Sequence, residues 1–368
     1  MQEIKKRRIL LASVLKPADE PRMFERMGQS LAANGYEVFI AGFPSSMGKS
    51  LSAIHLLPHK KFKRISLARI KVRFKILKEA FSIRPEVFII STHELIGVAI
   101  LYRIFSGRKI VYDVQEDYWK NIMYTRAWPI VIRPLIAYMV RLKETVTSPF
   151  FSKFLLAERC YENELLFTKR KSLIVENKCR VPDNFFRQPS SNNVKLIFTG
   201  TIAESTGVSQ AIELTKKLHA VDPRIQLQII GHFPQPRYFQ KIESEIAAYS
   251  FISLVGGDFV SHEKIMEAIG SAHFGIVFYP SSPHTKNKIP SKLYEYLTCQ
   301  LPILLQDNKV WVNLCQPFNS AIVIDFARID PSSTLKQMRE KNFYSRKAEN
   351  VDWQSEEGKF LSAIDSIT

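Results

Sequence analysis

The stretch Pro290-Ser291-Lys292-Leu293-Tyr294-Glu295-Tyr296-Leu297, followed by Pro302-Ile303-Leu304-Leu305, sets one acidic residue in a segment otherwise patterned to build a core. Pro290 suits a helix start, where its missing N–H is no loss, and Leu293 and Leu297 form an apolar stripe at i, i+4. Lys292 and Glu295 lie three apart and share a helical face. A carboxylate there can grip paired hydroxyls, while a lysine beside the positive end of a helix suits a phosphate. The same spacing on a solvated helix would give only a surface ion pair, so the rest of the chain must choose between the two readings.

A chain of 368 residues predicts two domains, because single cores rarely grow beyond ~250–300 residues. At 46% apolar and 24% charged residues the composition is that of a globular protein. Cys160, Cys179, Cys299 and Cys315 have neither C-x-x-C nor zinc-ligand spacing. Neither a disulfide framework nor a metal is therefore expected, and a reducing cytoplasm fits. Lys5-Lys6-Arg7-Arg8 precedes an apolar run, Ile9 to Leu15, that ends in Lys16-Pro17 without a small-residue cleavage site. It reads as a buried first strand rather than a signal peptide. No uncharged segment is long enough to span a membrane.

The net charge of +17 asks for an anionic partner. His59 to Lys78 interleaves basic residues with Phe62, Ile65, Ile70, Phe74 and Leu77, a basic amphipathic pattern that predicts an anionic membrane surface as partner. Trp128 to Arg141 is apolar with aromatic and arginine edges, and suits the same surface or the interior of the fold. A nucleic-acid partner is not expected, since there is no recognised binding motif and no run of stacking aromatics.

Strand-like runs alternate with helical patterns through the first half: strands at Ile9–Leu15, Glu37–Gly42, Glu86–Ser91 and Lys109–Asp113, and a helix at Arg22–Ala33 with Met23, Met27 and Leu31 on one stripe. The register restarts at Val194, with strands predicted at Lys195–Gly200, Gln226–Gly231, Ile252–Val255 and Phe274–Tyr279 and helices at Gly207–Leu218 and His262–Ile269. Glu176 to Asn193, with Pro182, Asp183, Pro189 and Ser190-Ser191-Asn192-Asn193, reads as a linker. The expectation is an α/β chain of two Rossmann-like domains, 1–186 and 187–345, facing across a cleft, with a terminal helix in 346–368, whose crossing back to the first domain is implied only by the family resemblance that follows.

Six stretches in order resemble GT-B glycosyltransferases of the large bacterial family 4, or group 1: Asp19-x-x-Arg22 ahead of Leu31 to Val38, Tyr112 to Glu116, Ile174 to Lys178, Phe198-Thr199-Gly200-Thr201, Ile229-Ile230-Gly231-His232, and the Pro290–Tyr296 helix. The resemblance implies transfer of a sugar from a nucleotide-diphosphate donor to a glycan or lipid-linked acceptor in cell-surface polysaccharide synthesis. It implies no cofactor beyond the nucleotide-sugar co-substrate, whose base stays open, and no metal. In that family the glutamate matching Glu295 holds the donor ribose. The implied donor site comprises Gly200, Thr201, Gly231, His232, Val260 in the turn Gly256 to Ser261, Asn287, Lys288, Ser291, Lys292 and Glu295.

Two departures matter. Many relatives have a Gly-Arg pair and a Lys-Gly that neutralise the diphosphate where this chain has Thr201 and Thr206, which leaves Lys286, Lys288 and Lys292 as candidate cations. Retaining relatives place two glutamates eight apart, whereas Asn287 stands eight before Glu295, so the stereochemical outcome is open. For the chemistry, His93-Glu94 resembles a His-Glu pair of retaining members, against the plain reading of a helix capped by Thr92. Glu116, Asp117 and Asp19 are candidate bases for an inverting route. The alternatives are a GT-B protein that only binds its ligand and a GT-B sugar-nucleotide epimerase. The expected location is the cytoplasm, peripheral on the inner face of the cell membrane.

Overall fold

The computed structural model describes residues 6–44, 52–62, 66–125, 128–182, 185–189, 192–257 and 260–368. Of the residues singled out above, Lys5, those at 63–65, Asp183, Ser190, Ser191, Asp258 and Phe259 lie outside these ranges. Two compact units make up the chain, Met1–Asn177 with Trp353–Thr368, and Lys178–Asp352.

The first unit holds a seven-stranded sheet of β1 (Arg8–Pro17), β2 (Glu37–Phe43), β3 (Ile54–Pro58), β4 (Val87–Ile90), β5 (Lys109–Val114), β6 (Lys153–Leu156) and β7 (Ser172–Ile174) in the order β3-β2-β1-β4-β5-β6-β7. The second holds six: β8 (Val194–Thr201), β9 (Ile225–His232), β10 (Ile252–Val255), β11 (Phe274–Val277), β12 (Ile303–Gln306) and β13 (Ala321–Ile324), ordered β10-β9-β8-β11-β12-β13. Every pairing in both sheets is parallel. Parallel sheets must be covered on both faces, which is why Ile9, Leu10, Leu11 and Ala12 are all fully buried. Leu10 packs in a layer with Phe88, Ile110 and Tyr102, whereas Leu11 packs with Met23, Met27, Leu31 and Phe360.

Each sheet reverses its strand order once, between β1 and β4 in the first unit and between β8 and β11 in the second. Crevices outside the carboxyl ends of strands at such reversals are where open α/β sheets take ligands.

The structure departs from the expected boundaries. The first unit runs to Asn177 rather than to residue 186, because Arg22 donates to the Val175 carbonyl (2.9 Å), Arg159 pairs with Glu176 (2.8 Å) and Arg26 donates to Asn177. The terminal helix spans Gln354–Asp365 rather than starting at Arg346. It belongs to the first unit, where Phe360 and Ile364 are buried and the Trp353 indole donates to the Ser30 hydroxyl at 2.8 Å. The expected helix Arg22–Ala33 opens as wide π-type turns over Arg22–Gly28, with the Arg26 N–H reaching the Pro21 carbonyl, before the α-helix Gln29–Ala33. Both Arg22 and Arg26 are buried in this irregular segment.

Candidate functional site

In the second unit the helix Ser291–Thr298 follows β11 and leads into β12, with Pro290 at its N-cap. It is a core helix: Leu293, Tyr296 and Leu297 are fully buried. The Tyr296 hydroxyl sits 3.0 Å from the Thr199 hydroxyl and accepts from the Thr199 N–H at 3.2 Å, which staples the helix to the end of β8. A side chain at Gly275 would run into the Tyr296 ring at 2.4 Å, so glycine is needed on β11 for the helix to seat.

Lys292 and Glu295 do not form the solvated pair that their spacing allows, since both are buried, at 2% and 7% exposure. The Lys292 ammonium makes no hydrogen bond among the described residues. It lies 3.6 Å from the centroid of the Phe198 ring on β8 and 5.1 Å from that of Tyr279 just past β11, so it occupies the point where the strand order reverses. Burial drives its pKa down to about 7, against the opposing pull of the Glu295 charge. A buried cation without a hydrogen-bonding partner is unusual and calls for an anion.

The loop after β8 brings backbone to the same place. Gly200 is in the left-handed region at φ 95°, and a Cβ there would stand 3.7 Å from the Lys292 Cε. Gly231, paired with Gly200 across β8 and β9, leaves no room for a side chain, which would meet the Gly200 carbonyl oxygen at 1.8 Å. Thr201 and His232 pair at the exposed ends of these strands. Thr206 closes the loop by accepting from the Ala203 N–H and donating to the Ala203 carbonyl, both at 2.9 Å. A hydroxyl thus ties the loop.

His262 was not a candidate from the sequence, yet its Nε2 stands 3.7 Å from the Glu295 Oε1. It opens the helix His262–Gly270, capped by the Ser261 hydroxyl, directly after the half-buried Val260. Lys286 and Asn287 are exposed and line a cavity of about 300 Å³ with Asp307, Asn308 and Trp311. Lys288 is half-buried; its carbonyl accepts from the Trp311 indole at 2.7 Å. Tyr279 lines this cavity and also faces Lys292, and Ser291 begins the helix.

In the first unit His93 and Glu94 follow β4 at the reversal of strand order. Thr92 does not cap the helix, and its buried hydroxyl makes no hydrogen bond among the described residues. Lys143 holds His93 twice, donating to the backbone carbonyl at 2.6 Å and standing 3.0 Å from Nδ1. An ammonium can only donate, so Nδ1 accepts and the ring proton lies on Nε2, which is 3.6 Å from the Glu94 Oε1. Burial, together with Lys143, Arg69 and Arg73, lowers the His93 pKa to about 4, so the ring is neutral at pH 7. Burial works against the Glu94 carboxylate, but charged and hydrogen-bonding partners, among them the paired Arg69, outweigh it and hold its pKa below the ordinary value.

Asp117 caps the helix Tyr118–Tyr124 through the Trp119 and Lys120 N–H groups and also accepts from Arg141, so its buried Oδ1 serves the fold. Glu116 is half-buried just past β5, and Asp19 is buried just past β1.

No family model matches the chain, and no curated protein does. Among solved structures, sucrose-phosphate synthase from Thermosynechococcus elongatus matches with a TM-score of 0.72 at 12% identity over 99% of this chain and 100% of that one. The Anabaena protein HepE in complex with UDP and glucose matches at 0.69 and 11% identity, covering 97% of this chain and 99% of its own. An alpha,alpha-trehalose 6-phosphate synthase from Burkholderia multivorans matches at 0.67 and 10% identity, with 98% and 99% covered. These similarities run the length of both chains, and with two parallel sheets of seven and six strands they show that the chain has the GT-B fold.

Proposed function

We propose that this chain is a glycosyltransferase that moves a sugar from a nucleoside diphosphate donor to a hydroxyl of a glycan or lipid-linked acceptor in cell-surface polysaccharide synthesis. The observation that carries the reading is the buried, unpartnered Lys292 ammonium beside Glu295 at the strand-order reversal of the second unit. Lys292 and the backbone N–H groups around Gly200 hold the diphosphate, and Glu295, braced by His262, accepts from the ribose hydroxyls. In the transfer, the acceptor oxygen bonds the anomeric carbon as the bond from that carbon to the diphosphate breaks. The nucleoside diphosphate leaves with the electron pair, and the acceptor proton passes to a base. In the first unit His93 is a neutral ring, and Glu116 and Asp19 are the candidate bases, Asp117 being engaged in its cap.

Thr201, Thr206 and Asn287 favour a second reading, a GT-B protein that binds a nucleotide sugar without turning it over. A panel of nucleotide sugars, beginning with the UDP-glucose bound in a HepE structure, separates the two. Thermal stabilisation together with release of nucleoside diphosphate supports the transferase, and stabilisation without release supports the binder.

The same reading places the chain at the cytoplasmic membrane face. Its support is the outward apolar character of two helices. Val131 is 85% exposed, and Leu135, Tyr138, Met139, Leu142 and Val146 form an exposed stripe along Arg133–Thr147. Leu67, Ile70 and Phe74 are exposed on Leu67–Ile83 among Lys71, Lys75 and Lys78. No helix among the described residues is long and apolar enough to cross a membrane. Each basic residue near anionic lipid contributes about 1 kcal/mol, so the protein is expected to float with anionic vesicles at low salt and to stay behind with neutral ones. Equal recovery in the soluble fraction from both would contradict membrane attachment.

A further inference from the structure

A second cavity, of about 300 Å³, lies within the first unit, and its lining divides by chemistry. Arg69 and Arg73 from Leu67–Ile83 and Lys143 from Arg133–Thr147 supply three cations, while Trp128, Ile136 and Val140 supply an apolar side. The only carboxylate among the described lining residues is Glu94, already paired with Arg69, and its second oxygen is buried without a partner. Arg73 donates from Nε to the Arg69 carbonyl at 3.3 Å, and its outer nitrogens make no hydrogen bond among the described residues. With His93 neutral, three positive charges face one negative, a surplus of two.

A surplus of that size in a partly desolvated cavity matches a phosphate, whose planar guanidinium recognition by arginine is well suited to Arg69 and Arg73. A free phosphate would have no use for Trp128, Ile136 and Val140, and a sugar phosphate, whose ring can stack on Trp128, would leave the aliphatic Ile136 and Val140 unused. Ile136 and Val140 lie on Arg133–Thr147, whose outer face carries exposed Leu135 and Met139, and Arg69 and Arg73 lie on Leu67–Ile83, which carries exposed Ile70 and Phe74, so an apolar chain anchored in a bilayer would meet apolar protein beside the cavity.

We propose that this cavity binds a phosphate esterified to an apolar chain, the phosphate-bearing end of a lipid-linked acceptor, with Arg69, Arg73 and Lys143 on the phosphate and Trp128, Ile136 and Val140 on the chain. Naming this ligand an acceptor rests on the glycosyltransferase reading; the site itself rests on the cavity alone.

The test titrates dodecyl phosphate, dodecanol and inorganic phosphate, each below its aggregation limit, into the full chain and into Arg73→Gln, whose half-buried position spares the core. Dodecyl phosphate should bind at least about tenfold more tightly than either fragment, and Arg73→Gln should weaken it by about 10- to 100-fold. Equal affinity for dodecanol would reduce the site to an apolar patch, and equal affinity for inorganic phosphate would make it a free-phosphate site. Either result overturns the proposal, as does an unchanged affinity in Arg73→Gln. Nucleotide-sugar binding measured on the same samples keeps the two ideas apart. Intact donor binding without dodecyl phosphate binding removes this site and leaves the transferase, and the converse removes the transferase and leaves the site.

Discussion

Replacing Asp113 by alanine is expected to lower the stability of the first unit by about 3–5 kcal/mol. Asp113 ends β5 fully buried, and Arg22, 1% exposed, grips it with Nη2 at 2.7 Å from Oδ1 and Nε at 3.1 Å from each oxygen. The same guanidinium donates to the Val175 carbonyl, Gln115 donates to Asp113, and Lys16 bonds both Gln115 and Glu20. One charge pair therefore ties together the ends of β1, β5 and β7, the edge that carries the candidate chemistry. Removing the carboxylate leaves an arginine in the core with no opposing charge, and that uncompensated desolvation dominates over the lost Coulomb attraction. Trp119, Trp128 and Trp353 all belong to the first unit and only Trp311 to the second, so urea unfolding followed by tryptophan fluorescence reports mainly on the right unit. A loss under about 1 kcal/mol would place this pair among those of the exposed type.

Lys292→Met is expected to act in opposite directions on stability and on binding. Burial holds the Lys292 pKa at about 7, below the ordinary 10.5, so the folded chain binds fewer protons than the unfolded chain between those values. Stability from this group therefore rises as pH climbs from 7 towards 10.5, and below pH 7 the penalty of charging a buried amine is fully present. Methionine of similar shape removes the penalty, raising stability at neutral pH by about 1–4 kcal/mol and flattening the alkaline rise. Donor affinity should fall by about 10- to 150-fold in the same variant, since a charge-assisted bond to the diphosphate is lost. In the wild type, affinity should weaken as pH rises above 7, because binding must then take up the proton that Lys292 lacks. A variant that is destabilised, or that binds the donor as well as wild type, would show the lysine to be an ordinary packing residue.

How much of this was legible in the sequence depends on how local the cause was. Runs such as Ile9 to Leu15 and Val87 to Ile90 are apolar on both faces and can only be covered strands, and the i, i+3 register of Lys292 and Glu295 is fixed by helix geometry alone. The strands β3, β7 and β13 were missed because they are three to five residues long and half-exposed at or near sheet edges, where no period develops. β6 follows Phe150-Phe151, whose apolar character blurs its start. His262 carries no signal of its own beyond the capping Ser261, and its approach to Glu295 exists only once two helices share an edge of the sheet. Arg69 and Arg73 read from the sequence only as part of a basic amphipathic segment suited to an anionic membrane surface, because composition cannot say which side of a helix faces a cavity. Asp113 was matched with its neighbours, but the arginine that holds it lies on another element.

If the second unit binds a nucleoside diphosphate sugar through Lys292 and Glu295, calorimetric titration of nucleotide sugars into wild type and Glu295→Gln will register it. Saturable binding of at least one nucleotide sugar to the wild type is expected, with a loss of roughly 10- to 150-fold in Glu295→Gln, the amide being unable to replace a charged acceptor for the ribose hydroxyls. No heat from any nucleotide sugar, or equal affinity in the two proteins, would contradict it.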